Sequence, residues 1–312
     1  MIPLMIIGVP LQVGLSVSSP PMKYWQADFM VRAFHCYPSR KKITFVADIF
    51  PMTLYNKIGT SYNRTRNADP YLAERIFAHL SPVTQGAYLD IGCGTGNYLQ
   101  ALTQKGLHFH GIDPSENMLE QAKAKNTAAT FIQATAEAIP LPGHFFDGGM
   151  GVLTLHHWKD MQQGLKEVNR VLKPKAKFVL FSFTPQQMRG YWLCHYFPKM
   201  MERCIPMTPE VDEMEKLLNE SGFSLVETEK YFIKDGLQDH FLYSNKHHPE
   251  KYLSAEIRNN VSSFSAFSDP EEVLQGVLSL EADIKSGKIN SVISAYANDH
   301  GDYLFYVAEK NV

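Results

Sequence analysis

The chain has 312 residues and a hydrophobic share of 45%, enough for one large elaborated core rather than two independent small ones. Its formal net charge of −2 supplies no global field for nucleic acid. Its 4 cysteines stand at scattered positions, which excludes both a cysteine metal motif and a secreted disulfide framework.

Residues 1–20, "MIPLMIIGVPLQVGLSVSSP", are uncharged and mostly apolar, yet they fit neither a signal peptide nor a membrane span. The first charge is Lys23, and Pro3, Gly8, Pro10 and Gly14 interrupt the run. Nothing in residues 1–51 matches a recognisable element, so this segment is expected to be an extension, either poorly ordered or not native, with Met52 as the natural start. The expected location is the cytoplasm.

Asp69-Pro70 opens a helix, because aspartate caps and proline suits the first helical position; the helix should run to about Leu80. A strand over 87–91 then carries Asp90 into "GCGTG", and a helix follows Asn97. "HFHGIDPSENMLEQAKAK" (108–125) reads as a strand ending at Asp113, a turn and an amphipathic helix. Strands and helices keep alternating through Phe183, the mark of a parallel sheet covered on both faces. In "TPQQMRGYWLCHYFPKMMER" (184–203), Met188, Trp192 and Tyr196 recur at four-residue spacing and are expected to line one helix face. A helix over 208–223, a strand over 224–233 and a final strand over 301–310 follow. The roughly seventy residues between those two strands form a mostly helical insertion, and "SDPEEVLQGVLSLEADIKSG" carries a cap, an early proline and a closing glycine.

The glycine run sorts the possible ligands. A dinucleotide loop puts its third glycine where this chain has Asn97, and a phosphate loop ends in Gly-Lys-Ser/Thr, which is absent. Gly92, Gly94 and Gly96 after Asp90 instead give D-x-G-x-G-x-G. This run resembles motif I of the class I S-adenosylmethionine-dependent methyltransferases, of the type 11 and ubiquinone/menaquinone C-methyltransferase-like kind. "FIQATAEAIPLP" (131–142), "FDGGMGVLTLHHW" (146–158) and "EVNRVLKPKAKFVLFSF" (167–183) resemble the blocks that follow in that family, in order and distance.

The resemblance implies a doubly wound, mostly parallel α/β sheet of seven strands with helices on both faces and a helical insertion before the last strand. The resemblance covers roughly residues 52–232; the domain is expected to span 52–312, with lid segments at about 184–207 and 234–300. S-adenosylmethionine is the implied cofactor. Asp90 would orient its methionyl end through the loop, Gly92, Gly94 and Gly96 would allow backbone approach, and Asp113 would hold the ribose diol. Met118 would pack against adenine. Many relatives have Gly-Asp-Ala where this chain has Ala134, Thr135 and Ala136, so Thr135 offers adenine a neutral hydroxyl in place of a charge. "YNKIGTSYNRTR" resembles the segment that folds over the cofactor in relatives, which makes Tyr55, Tyr62 and Arg66 candidates to close its methionyl end.

His156 and His157 are the candidate catalytic residues, as a base on an acceptor hydroxyl or a contact to a substrate carboxylate. Read as strand, the pair would point His156 toward the methyl and His157 elsewhere. Without a third spaced ligand no metal is expected. The function expected is methyl transfer (EC 2.1.1.-) to an oxygen, carbon or nitrogen of a small molecule held under the aromatic 184–203 segment. The alternative is methylation of a wobble-uridine carboxyl group on tRNA, because a paired histidine after the fourth strand also occurs there. A non-catalytic cofactor-binding protein is a third reading.

Overall fold

A computed structural model describes residues 66–312. Residues 1–65, including Tyr55, Tyr62 and the expected extension, lie outside the described residues.

Asp69 caps helix α1 (Pro70–Leu80), its carboxylate accepting from the Tyr71 and Leu72 amides at 3.0 and 3.1 Å. Then come β1 (Ala87–Ile91), α2 (Asn97–Thr103), β2 (His108–Asp113), α3 (Glu116–Lys125), β3 (Thr130–Gln133) and β4 (Phe146–Val152). A 3-10 turn at Leu155–His157 leads to α4 (Met161–Val171) and β5 (Leu172–Ser182). Apart from the end of β4 and the 3-10 turn after it, these elements fall where hydrophobic period and caps predict them.

The seven strands form one sheet in the order β3-β2-β1-β4-β5-β7-β6, where β6 is Phe223–Tyr231 and β7 is Tyr303–Lys310. β7 runs antiparallel to both neighbours; the remaining pairs are parallel. In β5 the run Phe178-Val179-Leu180-Phe181 is buried throughout, because alternate residues feed two separate apolar layers: Val179 and Phe181 one, Phe178 and Leu180 the other. Helix α1 covers the first face through Leu72, Ile76 and Leu80, and α4 covers the second through Leu165 and Val168.

The aromatic segment departs from its expected single helix. It forms three short ones, α5 (Pro185–Arg189), α6 (Leu193–Tyr196) and α7 (Pro198–Cys204). Thr184 and Gln187 make a capping box that starts α5, Gly190 ends it, and Pro198, with no N–H to donate, begins α7 anew. The Trp192 amide is bonded to the Tyr243 hydroxyl at 3.2 Å, outside any helix. Met188, Trp192 and Tyr196 are all buried in the same layer as α1.

Helix α8 (Val211–Glu220) precedes β6. The insertion then holds a 3-10 turn at Pro249–Leu253, α9 (Ala255–Asn259), α10 (Ser262–Phe267), α11 (Pro270–Ser286) and α12 (Ile289–Ala295). Tyr252, Phe264, Phe267 and Leu280 bury it against the aromatic segment. No helix of the described residues is long and apolar enough to cross a membrane.

Gly276 sits in the middle of α11 because a Cβ there would meet the Tyr196 carbonyl oxygen at 2.4 Å. Alanine would gain about 1 kcal/mol of helix propensity. The contact is with backbone, so overpacking of about 2–3 kcal/mol outweighs it. Gly276→Ala is expected to lower the melting temperature in differential scanning fluorimetry by more than Gly287→Ala, where nothing lies within 4 Å and only the left-handed φ of 78° is at stake. An unchanged or higher melting temperature for Gly276→Ala would refute the close packing.

Candidate active site

β1 has β2 on one side and β4 on the other, so the strand order reverses at its carboxyl end and leaves a crevice there. The glycine loop turns across this crevice. The Gly92 and Cys93 amides both donate to the Ile112 carbonyl, at 2.8 and 3.0 Å, which ties the loop to the end of β2. Gly92 has φ +67°, and a Cβ on it would lie 2.0 Å from Thr154 Oγ1, so the loop and the exit of β4 touch only because that atom is missing. At Gly94, φ is +53° and no heavy atom lies within 4 Å of the missing Cβ: its side faces open space, while its amide donates to Asp113 Oδ2 at 2.9 Å. Gly96 is the N-cap of α2, packs toward Asn126 and lines no cavity.

Asp113 Oδ1 accepts from the Ser115 amide at 2.8 Å. Burial raises the Asp113 pKa against the pull of these two amides. Asp90 is buried more completely, and burial, helped by the Asp113 charge, pushes its pKa to about 8. Met118 lies on the cavity wall. Thr135 and Ala136 do not: Thr135 makes a local bridge with Ala138, and Ala136 packs into the apolar layer under the sheet.

β4 ends at Val152, earlier than the sequence suggests, and Leu153 takes a left-handed φ of 52°. The chain then enters the 3-10 turn. Its residues advance by about 120° rather than alternating by 180°. His156 and His157 therefore both line the cavity, with ring centroids 3.8 Å apart, and the expected divergence of the pair does not occur. Burial, with the Arg66 charge adding to it, lowers the His156 pKa to about 3. Burial also lowers the His157 pKa, its neighbour and Arg66 contributing. Both imidazoles are neutral at physiological pH.

Phe183 and Tyr303 from the sheet and Phe241, Leu242 and Val261 from the insertion form the apolar remainder of the wall. No residue of 184–207 lines the cavity, so among the described residues the roof comes from the insertion. At the mouth Arg66 pairs with Asp239 through Nε to Oδ1 and Nη2 to Oδ2, and the two residues form an antiparallel bridge. Sequence reasoning missed Asp239, Phe241, Val261 and Tyr303; only the Asp-His-Phe triplet at 239–241 hinted at polar and aromatic groups together. Elsewhere, His79, Glu227 and Glu229 present ligand atoms within 4.8 Å of one another on α1 and β6, but the Arg75 guanidinium already occupies Glu229.

The profile of the family described as "Methyltransferase domain" matches residues 89–180, from β1 through most of β5. A crystal structure of a proposed methyltransferase from an antibiotic biosynthesis pathway of Anabaena variabilis superposes with a TM-score of 0.71 at 28% identity, covering 79% of this chain and 99% of that one. The domain profile, the relatives and this solved structure together support a class I S-adenosylmethionine-dependent methyltransferase. The chain is similar to the O-methyltransferase rstn1 of Aspergillus nomiae, at 29% identity over 54% of this chain and 78% of the relative. It is also similar to the malonyl-[acyl-carrier protein] O-methyltransferase of Erwinia pyrifoliae, at 30% identity over 41% of this chain and 48%, about half, of that enzyme. The class I fold implies S-adenosylmethionine as the methyl donor. The residues present fit it: the open side of Gly94, the carboxylate of Asp113 and the thioether of Met118 share one wall.

The buried acid of this methyltransferase has a stability consequence. A carboxyl whose pKa is higher in the folded than in the unfolded chain favours folding below its unfolded pKa of about 4. That contribution falls as pH rises and is gone above the folded value of about 8. Asp90→Asn, neutral throughout, is expected to raise the melting temperature relative to the parent near pH 8 and to lose this advantage near pH 4.5. Thermal melts across that range test it; a pH-independent difference would mean that Asp90 is ionised in the folded chain.

Proposed function

We propose that this chain transfers a methyl group from S-adenosylmethionine to an oxygen atom of a small, largely apolar acceptor. One observation carries the reading. The loop side of the cavity, with Gly92, Gly94 and Asp113, is continuous with a wall of Phe183, Phe241 and Tyr303 that ends at the two histidines. When bound, the donor supplies a sulfonium methyl open to direct displacement, so the protein's work is alignment and exclusion of water.

Asp113 has lone pairs beyond the two spent on amides, and these can accept from the ribose hydroxyls. Met118 gives adenine an apolar surface. The insertion roofs the acceptor half and keeps water out. The neutral imidazoles each offer one donor and one acceptor nitrogen, suited to orienting a hydroxyl or carbonyl. They are poor bases. Taking a proton from a hydroxyl of pKa about 10 onto an imidazole of pKa about 3 costs roughly 9–10 kcal/mol. Orientation is therefore the role we assign to His156 and His157; the acceptor oxygen would take the methyl as the methyl's bond to the donor sulfur breaks, and the hydroxyl proton would pass from the methylated oxygen to solvent water.

Oxygen is favoured by the names of the two relatives, both O-methyltransferases. Among the described residues Arg66 is the one lysine or arginine on the cavity wall, and Asp239 neutralises it, so the described wall offers a tRNA backbone little attraction. Incubation with methyl-tritiated S-adenosylmethionine, a panel of phenols, hydroquinones and carboxylic acids, and bulk tRNA tests the reading. Label should enter the small-molecule fraction; label in tRNA would overturn it.

Asp113→Ala is expected to weaken S-adenosylmethionine by about tenfold or more in calorimetry, the scale of a lost charged hydrogen bond, while Thr135→Ala changes it by less than about twofold. With an acceptor in hand, His156→Gln should keep more of kcat/KM than His156→Phe. The pH–rate profile should show no limb near pH 6–7 that the Gln variant abolishes. Such a limb would restore the base.

A further inference from the structure

Beside the acceptor cavity lies a second, smaller and more polar one. The two share Arg66, Gly92, Gly94 and Val152, so a ligand lying along the glycine loop with one end at Asp113 and Met118 has its other end in the smaller space. That space is lined by a guanidinium from Arg66, a carboxylate from Asp239 and the acid of Asp90, with Asn97 and Tyr98 beside them.

Asp239 is held there with unusual care. Its side chain is 2% exposed, its Oδ2 accepts from the Tyr98 hydroxyl at 3.1 Å, and its oxygens receive Arg66. The Asn97 side chain donates to the Arg66 carbonyl at 2.5 Å, and Lys125 in turn donates to Asn97 at 2.9 Å. Fixing two opposite charges side by side in a buried place costs desolvation. The pair sets a guanidinium and a carboxylate together at the end of the loop, opposite in sign to the two charges of an amino-acid zwitterion.

We infer that Asp239 is a binding residue for the cofactor, receiving the ammonium of its amino-acid end while holding Arg66 in place for the carboxylate. The inference rests on the donor reading given under Proposed function. Asp90 lines the same space, but burial raises its pKa to about 8, so it offers an ammonium less charge than Asp239, which already holds a cation. Asp239 belongs to the insertion, and Arg66 precedes α1. The two halves of the clamp thus come from segments 173 residues apart in the chain and meet through one antiparallel bridge. Loading the amino-acid end then also strengthens the attachment of the roof.

The test is isothermal calorimetry with three ligands: S-adenosylhomocysteine, its decarboxylated amine, and 5′-methylthioadenosine, which lacks the whole amino-acid end. Asp239→Asn is expected to weaken the first two by about tenfold or more, as for loss of a charged hydrogen bond, and to leave methylthioadenosine within about twofold. Unchanged or tighter S-adenosylhomocysteine binding overturns the inference. So does an equal loss for all three ligands, which would mark a structural role, or a loss confined to S-adenosylhomocysteine, which would leave Asp239 acting on Arg66 alone. Should Asp239→Asn fail to fold, Asp239→Glu, which keeps the charge but moves it by one methylene, is measured instead with the same expected pattern. A parent protein that binds none of the three fails the donor reading, a result distinct from all of these.

Discussion

Two amides on one carbonyl, Gly92 and Cys93 on Ile112, hold the loop at the carboxyl end of β1, and the site depends on that attachment. It bends the chain away from the sheet at the place where β4 departs on the other side. Thr154 can then close to van der Waals contact with a glycine that has no Cβ to offer. The space left over is the crevice. With any larger residue at position 92, the loop and the β4 exit separate, and with them the donor half of the cavity from the histidines.

What the sequence made legible follows from how local each signal is. Asp69-Pro70, the strand over 87–91, the glycine spacing and Asp113 are set within a few residues of themselves, and each lies where the pattern puts it. Asp239 was invisible because its meaning comes from Arg66 and Tyr98, more than a hundred residues away in the chain. The histidine pair was placed on the right wall but with the wrong geometry. Leu153 turns left-handed and ends the strand, and no residue type announces a left-handed leucine. The aromatic 184–203 segment misled for a different reason. Its four-residue spacing is the same for a pocket-lining helix and for a buried support, and Gly190 and Pro198 had already divided it.

The buried polar groups of the site solve the problem of desolvation in two ways. Asp90, His156 and His157 have their pKa values moved by burial toward the uncharged form. Arg66 and Asp239 instead pair with each other through hydrogen bonds. The histidine end uses the first solution only, whereas the smaller space beside the loop, with Asp90 next to the ion pair, uses both.

The roof combines firm and loosely specified parts. Its root is fixed: Lys246 and Asp302 form an ion pair with little exposure, Tyr191 stacks on Tyr243 at 3.9 Å, and the Tyr243 amide donates to the Tyr303 hydroxyl at 3.2 Å. Its long helix α11 is capped at the start by Asp269 and at the end by Gly287. The part that faces the acceptor is built differently. Val261, Ser262 and Ser263 come from the start of a six-residue helix whose N-cap makes no side-chain bond, preceded by a five-residue helix that also lacks one. Short uncapped helices are the elements least determined by their own sequence and most by what packs on them. The donor half is written into a rigid strand-loop-helix unit, whereas the acceptor half is written into the least self-sufficient backbone of the domain. Among methyltransferases that share the first half, differences in acceptor are therefore to be sought in this stretch of roof rather than in the sheet.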